Sequence, residues 1–231
     1  MTANLTLPSE HDASDFRVFL ERAAKLGCEH VRLIGAGAVL AAYVGVLVPS
    51  GLLDTAPTVL GLRVFERAAG DLVSDAGADA GVDVDVDVAT QDLPALDTVV
   101  TIRGMLDRLA RPELTFALPI GEAGIAWAGV SAPRSGWESV GTLSASELEA
   151  IARAGIEEIA GSNGLGTIIV TRARREVWGR PISSAQPVQQ LVAGAAFAAF
   201  GLGFLGEDEP VLSRSANWIR LTTARGHILV R

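Results

Sequence analysis

Apolar and polar residues alternate along this chain in patterns that predict both helices and strands. The stretch Asp12–Gly27 predicts an amphipathic helix, with acidic residues in its first turn and a glycine at its end. The buried face of that helix would consist of Phe16, Phe19, Leu20 and Ala23. Val82–Val88 alternates valine with aspartate at every position, which is typical of a strand with one face in the core and one in water.

Other apolar runs rich in valine and leucine, bounded by glycine and proline, predict further strands. They are Glu29–Ile34, Val39–Val48, Val59–Glu66, one or two strands within Leu114–Val130, and a C-terminal antiparallel set at Val211–Ser215, Trp218–Thr223 and Gly226–Val230. Helical periodicity predicts further helices over Leu93–Leu109, Leu143–Gly161 and Pro187–Phe200. The pattern of Thr167–Val177 fits either a short strand or a helix.

The order of these elements predicts an α+β fold: an N-terminal helix with an antiparallel sheet, then helices and a C-terminal β-meander. Regular βαβ alternation, the mark of a parallel sheet, is not present in the pattern. A Pro/Gly-rich stretch suggests a boundary between residues 1–135, an α+β domain with an antiparallel sheet, and residues 136–231, a helical segment closing in a β-hairpin or meander. The alternative is a single domain that includes both.

The charge and composition of the chain limit the partners and the cellular compartment that we expect for it. The net charge of -8 argues against a role in which the whole surface binds nucleic acid or anionic membranes. The charge is unevenly distributed, because residues 1–164 carry 11 basic and 23 acidic groups whereas residues 165–231 carry 8 basic and 4 acidic groups. The single cysteine, Cys28, excludes an intramolecular disulfide, and no signal peptide is visible, so we expect a cytoplasmic protein.

Two uncharged segments have about the length of a membrane span, Leu33–Leu53 and Pro181–Gly206. Glycine and proline interrupt the first, and several serine and glutamine side chains precede the apolar part of the second. We therefore predict that both are buried core segments and that the protein has no membrane partner.

Three short stretches carry a resemblance to a known family. They are Asp15–Ala24, Ala132–Glu138, and Gly203–Gly206 followed by the strand at Trp218. Together they resemble a family of uncharacterised proteins from high-GC actinobacteria, in the same order and over most of the chain. The resemblance implies a cytoplasmic protein of unknown function, and it transfers no functional residue.

A glycine turn after the first predicted strand raises the hypothesis of a nucleotide-binding enzyme. Gly35 and Gly37 could let backbone N–H groups approach a pyrophosphate, and Asp54 falls near the position of a ribose-binding acid. The third small residue of that motif is replaced by Leu40, and no βαβ series follows. A glycine turn in a β-hairpin is the favoured interpretation, and no cofactor is predicted.

Two other groups of residues could form a metal site or a catalytic pair, but a purely structural role explains each of them better. Asp83, Asp85 and Asp87 alternate like calcium ligands, but the glycine and glutamate that a calcium loop requires are absent, which favours a solvated strand face. Cys28 and His30 could form a nucleophile pair, but no third residue is available to orient them, which favours a buried thiol. No metal site and no catalytic set is predicted.

The C-terminal third has the element order of a winged helix-turn-helix and a basic cluster. The candidate nucleic-acid or anion contacts are Arg172, Arg174, Arg175, Arg180, Gln189 and Gln190. Gln186 lies just before the two glutamines, and Arg220 and Arg225 lie in the hairpin. Against this, Leu191–Leu205 is wholly apolar and leaves no polar face for a DNA groove. Docking of the basic segment on the acidic remainder of the chain is the favoured interpretation.

The four tryptophans, Trp127, Trp137, Trp178 and Trp218, fit either a ligand pocket or core anchors. Arg134 next to Trp137 could hold an anionic ligand, and these two residues form the predicted ligand pocket. The first hypothesis is therefore a non-enzymatic binding or interaction protein, with a homodimer through Leu191–Leu205. A DNA-binding protein and a nucleotide-binding enzyme remain as alternatives.

Overall fold

The computed structural model describes residues 3–49, 51, 54, 56–68, 95–161, 167–185 and 191–231. These residues form five α-helices and ten β-strands, a mixed α+β fold as predicted. The helices are α1 (Glu10–Lys25), α2 (Ile102–Leu109), α3 (Ala145–Ala160), α4 (Thr167–Trp178) and α5 (Ala193–Gly201). The strands are β1 (Asn4–Thr6), β2 (His30–Ala36), β3 (Val39–Leu47), β4 (Val59–Glu66), β5 (Leu96–Thr101), β6 (Thr115–Ala117), β7 (Glu138–Thr142), β8 (Val211–Ser215), β9 (Trp218–Thr223) and β10 (Gly226–Val230).

One large antiparallel sheet organises the fold. Its eight strands run in the order β5-β2-β3-β4-β10-β9-β8-β7, and β1 pairs with β6 in a separate two-stranded sheet. Four neighbouring strands come from the N-terminal half and four from the C-terminal half. The two sets meet where β4 pairs with β10, with Leu60 opposite Leu229. The predicted C-terminal meander, β8–β9–β10, is confirmed.

The first helix follows from local sequence alone. Ser9 caps it, because its hydroxyl accepts a hydrogen bond from the Asp12 amide at 3.2 Å. Gly27 follows its end with a φ of 85°, a conformation that favours glycine. The four predicted core residues of this helix are all buried, and the Phe16 ring lies 4.8 Å from that of Phe65 on β4.

One prediction of secondary structure was wrong, and tertiary pairing explains it. The first half of the expected helix Leu93–Leu109 is instead strand β5, because Val99 and its neighbours pair with β2 before Thr101 caps the shorter helix α2. The expected strands within Leu114–Val130 reduce to β6 and a short 3₁₀ helix at Ala126–Gly129. The predicted strand at Val82–Val88 lies outside the described residues.

The apolar segment Leu191–Leu205 completes the core and does not form an exposed surface. Helix α5 packs beneath β4 and β10, and its alanines are fully buried together with Leu202 and Phe204. Most of the apolar side chains proposed for a homodimer interface are thus covered by the chain itself, and the homodimer stays a prediction. Among the described residues, no helix is both long enough and apolar enough to cross a membrane.

Gly61 marks how closely α5 approaches the sheet. A Cβ atom at this position of β4 would lie 2.3 Å from Cδ1 of Leu202 and 3.1 Å from Cγ2 of Val44. A side chain at this position would therefore have to displace the buried side chain of Leu202 at the junction between β4 and β10.

We expect Gly61→Val to lower the free energy of unfolding by about 1–3 kcal/mol, because overpacking a filled core forces side chains and backbone apart. Urea unfolding followed by circular dichroism measures this change. Gly206→Ala is the matched control, since nothing lies within 4 Å of a Cβ atom added there. Equal destabilisation by both variants would contradict the close packing of α5 on β4.

Candidate functional site

The face of the sheet that points away from the helices carries a mixture of apolar and polar side chains. We call it the open face. A small apolar cluster on it contains the buried residues Leu60, Trp218 and Leu229. Residues 125–137, here called the crossing segment, run over this face, and Trp127, Val130 and Trp137 pack against that cluster. The crossing segment therefore covers part of the open face, and no other described segment packs on this apolar cluster.

Arg32 on β2 fastens the crossing segment to the sheet. Its guanidinium makes two hydrogen bonds of 2.8 Å to the Asp97 carboxylate on the neighbouring strand. Its third nitrogen donates to the Ala128 carbonyl at 2.5 Å and to the Ser131 hydroxyl at 3.0 Å. The bidentate hydrogen bond from Arg32 holds the pKa of the Asp97 carboxyl below its usual value, so this pair is charged at neutral pH.

Between the crossing segment and the strands lies a groove of about 360 Å³, which we call the open-face groove. Apolar side chains from four strands form its floor: Ile34, Ala41, Leu62, Val64 and Leu229. Val39 and Val64 are 50% and 51% exposed, which is unusual for valines in the middle of a sheet. The groove is therefore an apolar surface that is open to solvent.

Arg220 lies at one side of this groove in an unusual environment. Its guanidinium carbon lies 4.4 Å from the centre of the Trp137 ring, in a cation–π contact. The Nε atom is buried and has no hydrogen-bond partner among the residues that the structure describes. Burial lowers the pKa of Arg220 from its ordinary value, and the group keeps its positive charge. The Trp137 ring is held in turn by a 2.9 Å hydrogen bond from its Nε1 to the Pro133 carbonyl.

Three further polar side chains line the groove. Arg134 is exposed and adds a second positive charge. Tyr43 is half-buried, and burial raises the pKa of its hydroxyl, so it is a neutral hydrogen-bonding group. His227 contacts the Thr222 hydroxyl at 3.1 Å, and burial together with the nearby Arg220 lowers its pKa from 6.5, which leaves it neutral at neutral pH.

The structure brings the two residues of the predicted ligand pocket, Arg134 and Trp137, to this groove. The sequence pattern predicts Arg220 in the hairpin of a DNA-binding segment and predicts no role for Tyr43 or His227. The alternation of β9 contained a usable signal, since Trp218, Arg220 and Thr222 share the face opposite to the buried Ile219 and Leu221.

The nucleotide-binding hypothesis at Gly35 and Gly37 was wrong. Both glycines belong to the β2–β3 hairpin, with Gly35 opposite Leu40 and Gly37 in the turn with a φ of 53°. The turn therefore leads into an antiparallel strand and not into a helix N-terminus that could bind a pyrophosphate. The Arg67 guanidinium already occupies this place, because its Nε donates to the Gly37 carbonyl at 2.7 Å. Asp54, the expected ribose-binding acid, forms an ion pair with Arg175 at 2.7 Å.

The winged-helix hypothesis also disagrees with the structure. Helix α5 is buried beneath the sheet, and β9 and β10 lie between other strands, so neither is presented as a recognition helix or a wing. Three of the four clustered arginines are paired with acids: Arg172 with Glu176, Arg175 with Asp54, and Arg180 with Glu158. Arg174 makes no ion pair with any described residue. Gln186, Gln189 and Gln190 lie outside the described residues.

The buried-thiol interpretation of Cys28 is confirmed. Its Sγ donates to the Gly45 carbonyl at 3.3 Å, and burial raises the pKa of the thiol to about 12. His30 contacts Glu122 at 2.7 Å, and the hydrogen bond of the sulfur goes to the Gly45 carbonyl. The thiol therefore stays protonated at neutral pH and is not activated as a nucleophile.

Comparison with known proteins identifies the family. Residues 1–129 match the family described as a domain of unknown function, DUF8010. The chain belongs to the DUF8010 family. Residues 132–231 match a second domain of unknown function, DUF8185. These matches agree with the resemblance to an uncharacterised family, whereas an actinobacterial origin stays a prediction. No curated protein matches this chain.

Three solved structures of bacterial proteins match this chain with TM-scores below 0.5. The Helicobacter pylori beta clamp in complex with 5-chloroisatin has a TM-score of 0.48 at 8% identity, covering 99% of this chain and 63% of the clamp. The same clamp bound to a DNA ligase peptide has a TM-score of 0.45 at 8% identity, covering 99% and 66%. The DNA polymerase III subunit beta from Pseudomonas aeruginosa has a TM-score of 0.41 at 13% identity, covering 100% and 64%. The chain thus spans less than two thirds of the length of each.

Both family regions contribute to the open-face groove. Ile34, Tyr43 and Leu62 come from the DUF8010 match, whereas Trp137 and Arg220 come from the DUF8185 match. That residues 1–135 and 136–231 are separate domains stays a prediction. The groove contains residues from both parts of the chain.

His227 should make the stability of the protein depend on pH. Its pKa is lowered from 6.5 in the folded state, so below about pH 6.5 the unfolded chain binds the proton more readily than the native protein does. We therefore expect the free energy of unfolding to fall as the pH decreases from about 7.5 to about 5.5. Urea unfolding at both pH values should show a smaller decrease in His227→Gln. An identical decrease in both proteins would contradict burial of a neutral imidazole.

Proposed function

We propose that this chain is a binding protein whose open-face groove accepts a ligand with an anionic group on a flat apolar body. The observation that carries the proposal is the Arg220 guanidinium, which lies on the Trp137 ring and whose buried Nε has no hydrogen-bond partner among the described residues. The proposal names no reaction.

A guanidinium has five N–H donors in a planar fork, a geometry that matches the two oxygens of a carboxylate. A carboxylate or sulfonate at the outer nitrogens of Arg220 would accept the fork of N–H groups in a partly dehydrated site. Such charge-assisted hydrogen bonds are stronger than those between neutral groups. Arg134 at the rim of the groove adds attraction for the same anion.

The remainder of the groove suits an apolar body more than a second charge. Its floor consists of aliphatic side chains on a sheet, among them Leu62 and Leu229, and the Trp137 ring forms one wall. Covering exposed Val39 and Val64 would remove apolar surface from water, which favours binding by about 25 cal/mol per Å². Tyr43 and neutral His227 can each take part in a hydrogen bond with a polar substituent.

Anilinonaphthalene sulfonate is a suitable probe because it combines a sulfonate with flat aromatic rings. We expect it to bind the protein with an increase in fluorescence, and we expect Arg220→Gln to raise its Kd about tenfold or more, since a hydrogen bond to a charged group contributes about 1.5–3 kcal/mol. Arg214→Gln is the matched control, because Arg214 is an exposed arginine on the adjacent strand β8 and does not line the groove.

A neutral analogue separates charge recognition from apolar adhesion. N-phenylnaphthylamine lacks the sulfonate, so its Kd should be the same for the parent protein and for Arg220→Gln. Equal affinity of the sulfonate probe for the parent protein, Arg220→Gln and Arg214→Gln would overturn the proposal, provided that the thermal unfolding midpoints of the variants agree.

A further inference from the structure

A second opening lies beside helix α4, away from the open-face groove. Two adjoining cavities of about 190 and 270 Å³ share Val46, Leu47, Arg174 and Trp178 in their walls. We call this pair the α4 crevice. None of the residues that line it also lines the open-face groove. Any ligand here is therefore independent of the proposed function.

Apolar side chains form the larger part of the walls of the α4 crevice. The Trp178 ring stacks on Phe197 with centres 4.4 Å apart and planes inclined by 18°. Leu26 and Val46 are only partly buried against the core, and Ile156 at the rim is 39% exposed. An alkyl chain in the crevice would cover apolar surface that now contacts water.

The rim of the crevice carries two positive charges. Lys25, in the last turn of α1, and Arg174 on α4 both line the same cavity. Within the described parts of the chain, neither side chain makes an ion pair. Arg172 and Arg175, the neighbours of Arg174 on the same helix, are each paired with an acid. The two cations at the mouth are thus available to an external anion.

We propose that the α4 crevice binds a free single-chain amphiphile with an anionic head group, such as a fatty acid. The alkyl chain lies along Val46, Leu47 and Trp178, and the head group lies between Lys25 and Arg174. Apolar walls with cations at the entrance complement an alkyl carboxylate at both ends, whereas a neutral lipid leaves the cations without a partner.

Decanoate, titrated by calorimetry below its micelle concentration, is the test ligand. We expect saturable binding to the parent protein and an increase in Kd of about tenfold or more for the double variant Lys25→Gln/Arg174→Gln. Arg172→Gln is the matched control on the same helix, because its partner is Glu176 and it does not line the crevice. Decanol should bind the parent protein and the double variant equally.

Two further variants test the apolar part and the location. Ile156→Gln, a change at an exposed rim position, should also weaken decanoate binding, whereas Arg220→Gln in the open-face groove should leave it unchanged. Thermal unfolding midpoints that agree with the parent protein show that the variants fold. Absence of decanoate binding, or an equal Kd for the parent protein and the double variant, would overturn the proposal.

Vesicles of phosphatidylglycerol distinguish a free ligand from a membrane surface. We expect the protein to remain in the supernatant when such vesicles are sedimented, because the acidic chain repels an anionic surface. Co-sedimentation that is lost in the double variant would overturn the assignment to a free ligand and place the anionic head group in a bilayer.

Discussion

The pairing of β4 with β10 is the contact on which the rest of the structure depends. It joins four strands of the N-terminal half to four strands of the C-terminal half, and hydrogen bonds between Thr58 and Arg231 extend it by one more residue pair. Helix α5 packs directly beneath this pairing, where Gly61 allows its close approach. A single apolar core therefore extends across the two family regions, and separation of the halves would expose it.

The same pairing decides how the two faces of the sheet are used. Helices α1, α2 and α5 pack on one face, and among the described residues the crossing segment is a partial cover of the opposite face. Because side chains alternate along each strand, a buried residue on one face places its neighbour on the other. The Arg32–Asp97 pair holds the crossing segment on the sheet, and the groove beside it combines residues from distant parts of the chain.

Both binding proposals depend on cations that form no ion pair with a described residue and lie beside apolar surface, but their geometry differs. Arg220 lies half-buried against an aromatic ring on a broad sheet surface, which favours a flat ligand. Lys25 and Arg174 lie at the entrance of a narrow crevice between helix α4 and the end of strand β3. That shape favours a ligand with an alkyl chain. The paired arginines near them, such as Arg175 and Arg180, show that a cluster of basic residues in the sequence does not by itself make an anion site.

Local sequence determined helix α1 and the C-terminal hairpins, because caps, helical periodicity and short-range strand pairing act within a few residues. The local sequence also predicted Arg134 and Trp137 as residues of a ligand pocket. Only the tertiary structure decided that Leu96–Thr101 is a strand, since its partner β2 lies about sixty residues earlier and supplies the pairing that local propensity lacks. The tertiary structure likewise decided that Leu191–Leu205 packs in the core and that Arg175 forms an ion pair with Asp54. Each of these outcomes depends on contacts between residues far apart in sequence, which no local pattern specifies.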